Sequence, residues 1–139
     1  MPVLEQVLDQ YPDQVKLVFK NYPISNHKFA AKAALTAQAA HLQGKFWQVH
    51  DGFFKFNEQL NDEKIQEIVR AAGVNEEQLE RDRNGPQVNH HVQEDFNEGN
   101  RIGVRGVPTV FVNGKRLRDR SPESFIMAIE KELKKHRAK

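Results

Sequence analysis

Gly103-Val104-Arg105-Gly106-Val107-Pro108-Thr109-Val110-Phe111-Val112-Asn113-Gly114-Lys115 is a glycine-punctuated loop that runs into a proline, a short apolar strand and a reversal. Asn113-Gly114 tolerates the positive φ angles that a two-residue type I′ hairpin demands. Pro108 has no N–H to give a sheet ladder, so it belongs at the first residue of the strand or just before it. Gly103 and Gly106 permit tight bends and close approach of other backbone. By itself the stretch is a loop and hairpin of a kind that many α+β proteins share.

After the hairpin, Ser121-Pro122-Glu123-Ser124 reads as a helix start with proline at the first helical position. Phe125, Ile126, Ile129 and Leu133 form its core face, and the basic tail from Lys134 to Lys139 is expected to fray. Before the hairpin, Gln87 to Ile102 reads as a polar helix with Val88, Val92, Phe96 and Ile102 on its buried side. Asn75 and Asn61 are N-cap residues for two further helices, one carrying Leu79 and the other Ile65, Ile68 and Val69. Lys45 to Asn57 is aromatic-dense, with Phe46, Trp47, Phe53, Phe54 and Phe56 read as core first and ligand surface second. His27 to Gln43 is alanine-rich and strongly helix-forming, with Phe29, Ala33, Thr36, Ala37, Ala40 and His41 near one face. Val15 to Pro23 alternates apolar and polar and reads as a strand. Val3, Leu4, Val7 and Leu8 mark one face of a leading helix that Tyr11-Pro12-Asp13 ends.

The resulting order is a helix, a strand, about five helices, two strands and a last helix. The length of 139 residues suits one domain. A net charge of +2 gives no ground for a nucleic-acid or membrane-surface partner. No apolar run is long enough for a membrane span, and the N-terminus has neither a basic region nor a hydrophobic stretch of signal-peptide type. Arg116-Leu117-Arg118-Asp119-Arg120 reads as a solvated strand end. The chain contains no cysteine, so disulfides and thiolate metal sites are excluded. His90 and His91, being adjacent, point about 100° apart on a helix, and no His-x-x-x-His pair supports a metal. No phosphate-binding glycine loop and no nucleophile elbow occurs, so neither a catalytic constellation nor a cofactor is read from the residues.

The run Gly103 to Lys115 resembles the cis-proline segment of the thioredoxin superfamily in its DsbA-like branch. His27-Lys-Phe-Ala-Ala-Lys-Ala-Ala and Gly44-Lys-Phe-Trp-Gln-Val-His-Asp resemble the start of that family's helical insertion, and the resemblance covers nearly the whole chain. It implies an α/β, incomplete thioredoxin-like fold in a single domain over 1–139, with a helical insertion over about 27–102. It also implies a cis Val107–Pro108 bond and a substrate edge at Gly106, Val107, Pro108 and Thr109. In this family a strand and then Cys-x-x-Cys precede the helix matched by Val3 to Gln10. The chain therefore corresponds to the family pattern without its front, as an N-terminally truncated domain.

Three functions follow as expectations. One is a DsbA-family thiol-disulfide oxidoreductase by descent, redox-inactive as it stands because it has no thiol. Another is a non-catalytic module that binds extended peptide along the cis-proline edge. The third is an adaptor that uses its aromatic helix. The missing strand would lie between Val15–Tyr22 and Thr109–Val112, uncovering Val18, Phe19, Val110 and Phe111. A homodimer through those edges is the expected consequence. The compartment stays open.

Overall fold

The computed structural model describes residues 2–24 and 28–137. The described chain divides into two compact units. Met1–Phe19 with Gly106–Lys139 is one, and Lys20–Arg105 is the other.

The first unit is built from helix α1 (Pro2–Gln10), the hairpin strands β1 (Val110–Val112) and β2 (Lys115–Leu117), and helix α7 (Pro122–Arg137). Val7, Tyr11, Phe125 and Ile129 are its buried centre, with Val3, Leu4, Val15, Val110, Val112, Leu117, Ile126 and Leu133 packed around them. The 3.6-residue spacing of α1 and α7 puts these side chains on facing stripes. The Tyr11 hydroxyl donates to Glu130 Oε1 at 2.6 Å and so ties the end of α1 to α7. The hairpin is antiparallel, with Val110 opposite Leu117, Phe111 opposite Arg116 and Val112 opposite Lys115. Its turn has φ of 47° at Asn113 and 81° at Gly114, the signs the Asn-Gly pair is suited to.

Two expectations are corrected in this unit. Val15 to Tyr22 is not a strand. The alternation is real up to Val18, since Val15 and Leu17 are half-buried while Lys16 and Val18 are exposed. A strand also needs a ladder, and the described sheet contains β1 and β2 alone. The basic tail does not fray at Lys134, because α7 continues to Arg137. Lys134, Lys135, His136 and Arg137 occupy its last turn, where cations complement the negative end of the helix dipole. Residues 138–139 lie outside the described residues.

The second unit holds α2 (Ala30–His41), α3 (Phe46–Lys55), a 3₁₀ turn (Asn57–Gln59), α4 (Asp62–Ala71), α5 (Glu76–Arg83) and α6 (Pro86–Arg101). The expected start of α2 at His27 lies outside the described residues. Both asparagine caps form, Asn61 accepting from Lys64 N–H at 2.7 Å and Asn75 from Gln78 N–H at 3.0 Å. The core gathers alanines of α2, Phe46, Val49 and Phe53 of α3, Ile65, Ile68 and Val69 of α4, Leu79 of α5 and Val88 of α6. Small residues on α2 let several helices approach it closely, so Thr36, Ala37, Gln38, Ala39 and Ala40 are all buried. His41, expected on that inner face, is exposed at its end. Ile102 is exposed as well, because α6 ends one residue before it, and Asp95 and Gly99 take inner positions instead.

Asp95 organises the entry of the chain into this unit. Its Oδ2 accepts from the Asn21 backbone N–H at 3.0 Å and from Asn21 Nδ2 at 2.9 Å. Asn21 Nδ2 also donates to Gln38 Oε1 at 3.1 Å, which links the segment before α2 to both α2 and α6.

Candidate functional site

The residues expected to form a substrate edge, Gly106, Val107, Pro108 and Thr109, form one loop that leads directly into β1. The Val107–Pro108 peptide bond is cis. Thr109 Oγ1 donates to Gly106 O at 2.6 Å and closes the loop upon itself. Arg120 Nη1 donates to Pro108 O at 2.6 Å and fastens it to the segment that leaves β2. Val107 projects with half its surface in solvent (51 %), and Pro108 is exposed beside it. α7 is anchored just behind: the Ser121 hydroxyl accepts from Ser124 N–H at 3.2 Å, and Asp119 accepts from both serines. Those bonds hold the Asp119 carboxyl below its usual range, the Ser124 hydroxyl being the largest cause.

The hairpin has two unlike faces. Val110, Val112 and Leu117 pack on α1 and α7. Phe111 stands on the other face, more than a third exposed, opposite Arg116. Of the four apolar residues expected to be uncovered, Val18, Phe19 and Phe111 are exposed. Val110 is not, since it points into the core. An open depression of about 330 Å³ is lined by Pro108, Thr109, Arg116, Leu117, Arg118 and Arg120.

In the helical unit the aromatic residues of α3 divide between two roles. Phe46 and Phe53 are core, whereas Trp47 and Phe54 stand 43 % and 51 % exposed. His50 lies among them, stacked on Phe46 at 5.3 Å and against Phe54 at 4.6 Å. Burial lowers the His50 pKa below the ordinary imidazole value of 6.5, partly offset by its bond to Asp51. A folded-state pKa below the unfolded one means that the unfolded chain binds more protons. The contribution is therefore intact above pH 6.5 and is lost as pH falls from there through the folded-state pKa. Melting temperatures followed from about pH 8 to pH 5 should fall more steeply for the parent chain than for His50→Gln. Identical slopes would count against it.

The other described histidines gather no metal site. His90 and His91 pair instead with Glu94 and Asp95 one turn on, at 3.0 and 3.4 Å. Among the described residues no group of three or more His, Asp or Glu is placed to hold a metal ion. No helix among them is long and apolar enough to cross a membrane.

A family model described as DSBA-like thioredoxin domain matches residues 1–129. The chain belongs to that family. Among solved structures, a thioredoxin-like oxidoreductase from Silicibacter pomeroyi DSS-3 superposes on this DSBA-like chain with a TM-score of 0.81 at 25 % identity. The match covers 97 % of this chain and 77 % of that one. The probable disulfide bond formation protein D of Bacillus cereus is 30 % identical over 144 residues, covering 96 % of this chain and 66 % of that protein. The Na⁺/H⁺ antiporter NhaA 1 of Mycolicibacterium gilvum is 30 % identical over 131 residues, which is 91 % of this chain and 21 % of the antiporter. The chain thus spans about a fifth of the antiporters it matches. The fold of the DSBA-like family is present as an incomplete thioredoxin-like arrangement, mostly helical with a two-stranded sheet.

What sequence reasoning missed here is the Arg120 contact to Pro108 O that shapes the depression. The clustering of Arg116, Arg118 and Arg120 was visible, but which of them turns inward to a carbonyl depends on the loop geometry.

Proposed function

We propose that this chain is a DSBA-like domain, with a helical insertion over about 27–102, that contributes a peptide-recognition edge and no redox chemistry of its own. Thiol–disulfide exchange requires a thiolate that attacks a disulfide sulfur, and these 139 residues contain no cysteine. The observation that carries the binding half is β1, which pairs with β2 on one side and with no other described strand. Its remaining edge presents N–H and C=O groups to which an extended segment can add as a strand. The residues leading into that edge, Gly106 to Thr109, supply its rim. Exposed Val107 offers an apolar contact next to it.

A second copy of the chain can satisfy the same edge, so a symmetric dimer is part of the proposal. Fluorescence titration with extended neutral peptides should give dissociation constants of roughly micromolar or weaker, since a small interface retains little after association entropy. Sedimentation should show a dimer of the 16.1 kDa chain that saturating peptide dissociates. Insulin reduction and reactivation of scrambled ribonuclease should not exceed the glutathione background. A monomer indifferent to every peptide would overturn the binding reading, and catalytic turnover by the purified chain would overturn the redox one.

A further inference from the structure

The outer face of the hairpin carries a row of arginines that neither the core nor the free strand edge explains. Arg116, Arg118 and Arg120 alternate with Leu117, which turns to the core, and with Asp119, which is bonded to Ser121 and Ser124. Arg116 faces Phe111 across the ladder, and Arg118 follows directly after the end of β2, at a bend. The three guanidinium-bearing residues and Thr109 line one depression of about 330 Å³.

The neighbouring cations are already committed. Lys115 pairs with Glu132 at 3.1 Å, and Arg120 donates to Pro108 O. Arg116 and Arg118 are exposed and have no ion-pair or hydrogen-bond partner among the described residues. All three positions are arginine, the side chain whose planar fork matches a carboxylate with two parallel hydrogen bonds.

We infer that this face binds a short acidic segment of a partner protein, with carboxylates on Arg116 and Arg118 and an apolar side chain on Phe111. Unspent guanidiniums beside an exposed Phe111 favour peptide, which carries carboxylates and apolar side chains together. Charge favours a short segment over nucleic acid. The net charge of +2 gives no broad positive field of the kind that attracts a long polyanion. This face uses side chains of both strands, whereas the edge proposed above uses the backbone of β1, so the two stand or fall separately.

The test is a fluorescence-anisotropy titration of the whole chain with a labelled octapeptide of alternating glutamate and threonine. Its counterpart has glutamine for every glutamate. The glutamate peptide should bind about tenfold more tightly, the ratio one charge-assisted pair of modest strength supplies. High salt should shrink that ratio. The double variant Arg116→Gln/Arg118→Gln should erase it, while Arg116→Lys/Arg118→Lys keeps part of it. Both positions are exposed, and circular dichroism checks that each variant is folded. Equal affinity for the two peptides overturns the inference, as does a preference that survives the glutamine variant. Tighter binding of a labelled oligothymidylate than of the glutamate peptide overturns it in favour of a phosphate ligand.

Discussion

Asp95→Ala should unfold the helical unit far more readily than any surface change, at a cost of about 3–5 kcal/mol. The carboxylate is 6 % exposed, and it is the acceptor for both the backbone N–H and the side-chain amide of Asn21, itself 2 % exposed. Alanine fills neither role. The buried Asn21 backbone N–H would be stranded, at about 1–3 kcal/mol without a partner, its side-chain amide would keep only Gln38, and water can reach them only if the segment lifts away from α6. Lys20, 3.8 Å from the other carboxylate oxygen, would lose its buried counter-charge too. Asp95→Asn keeps one carbonyl oxygen for Asn21 but brings an amide whose donors need partners, so it should fall between. Urea denaturation followed by circular dichroism measures the order. An alanine variant within about 0.5 kcal/mol of the parent would show that Asn21 finds other acceptors.

That network was not legible in the sequence, and the reason is physical. An aspartate on a polar helix carries no periodic signal that separates it from its solvated neighbours. Its burial is decided by Asn21, which lies 74 residues away in the chain. The hairpin was legible because its signals are local: Asn113-Gly114 sets the turn, and alternate apolar residues set the inner face. The helix caps at Asn61 and Asn75 were legible for the same reason. The segment from Val15 shows the opposite case. Its alternation marks which side chains turn inward, as Val15 and Leu17 do, but a strand exists only with a neighbour, and no pattern within the segment supplies one. At the candidate site Gly106 to Thr109 are consecutive in sequence, so their grouping needs no fold to supply it. The arginine row was read as a solvated strand end, because which guanidinium is spent on Pro108 O is a property of the folded loop.

Gly99→Val should be the other severe substitution, at roughly 3 kcal/mol or more, through overpacking. Gly99 is buried near the end of α6, and a Cβ built there would lie 2.7 Å from Tyr22 Cδ1 and 2.9 Å from Cε1. No real contact of that kind is so short, so either the ring or the helix must move. The ring is held on two sides. It stacks on Phe96 with centroids 4.7 Å apart, and its hydroxyl lies 2.6 Å from Asn100 Oδ1 and 3.0 Å from Val104 O, sharing one proton between them. Gly99→Ala should be milder, because replacing a helical glycine returns about 1 kcal/mol of helix propensity against the clash. Valine regains less and adds two methyl groups on the crowded side. A double-mutant cycle separates this cause from a general loss of helix: with Tyr22→Ala already in place, the valine penalty should shrink by more than half, since the atoms it strikes are gone. If the penalty is the same in both backgrounds, the close approach of Tyr22 is not what requires glycine at this position.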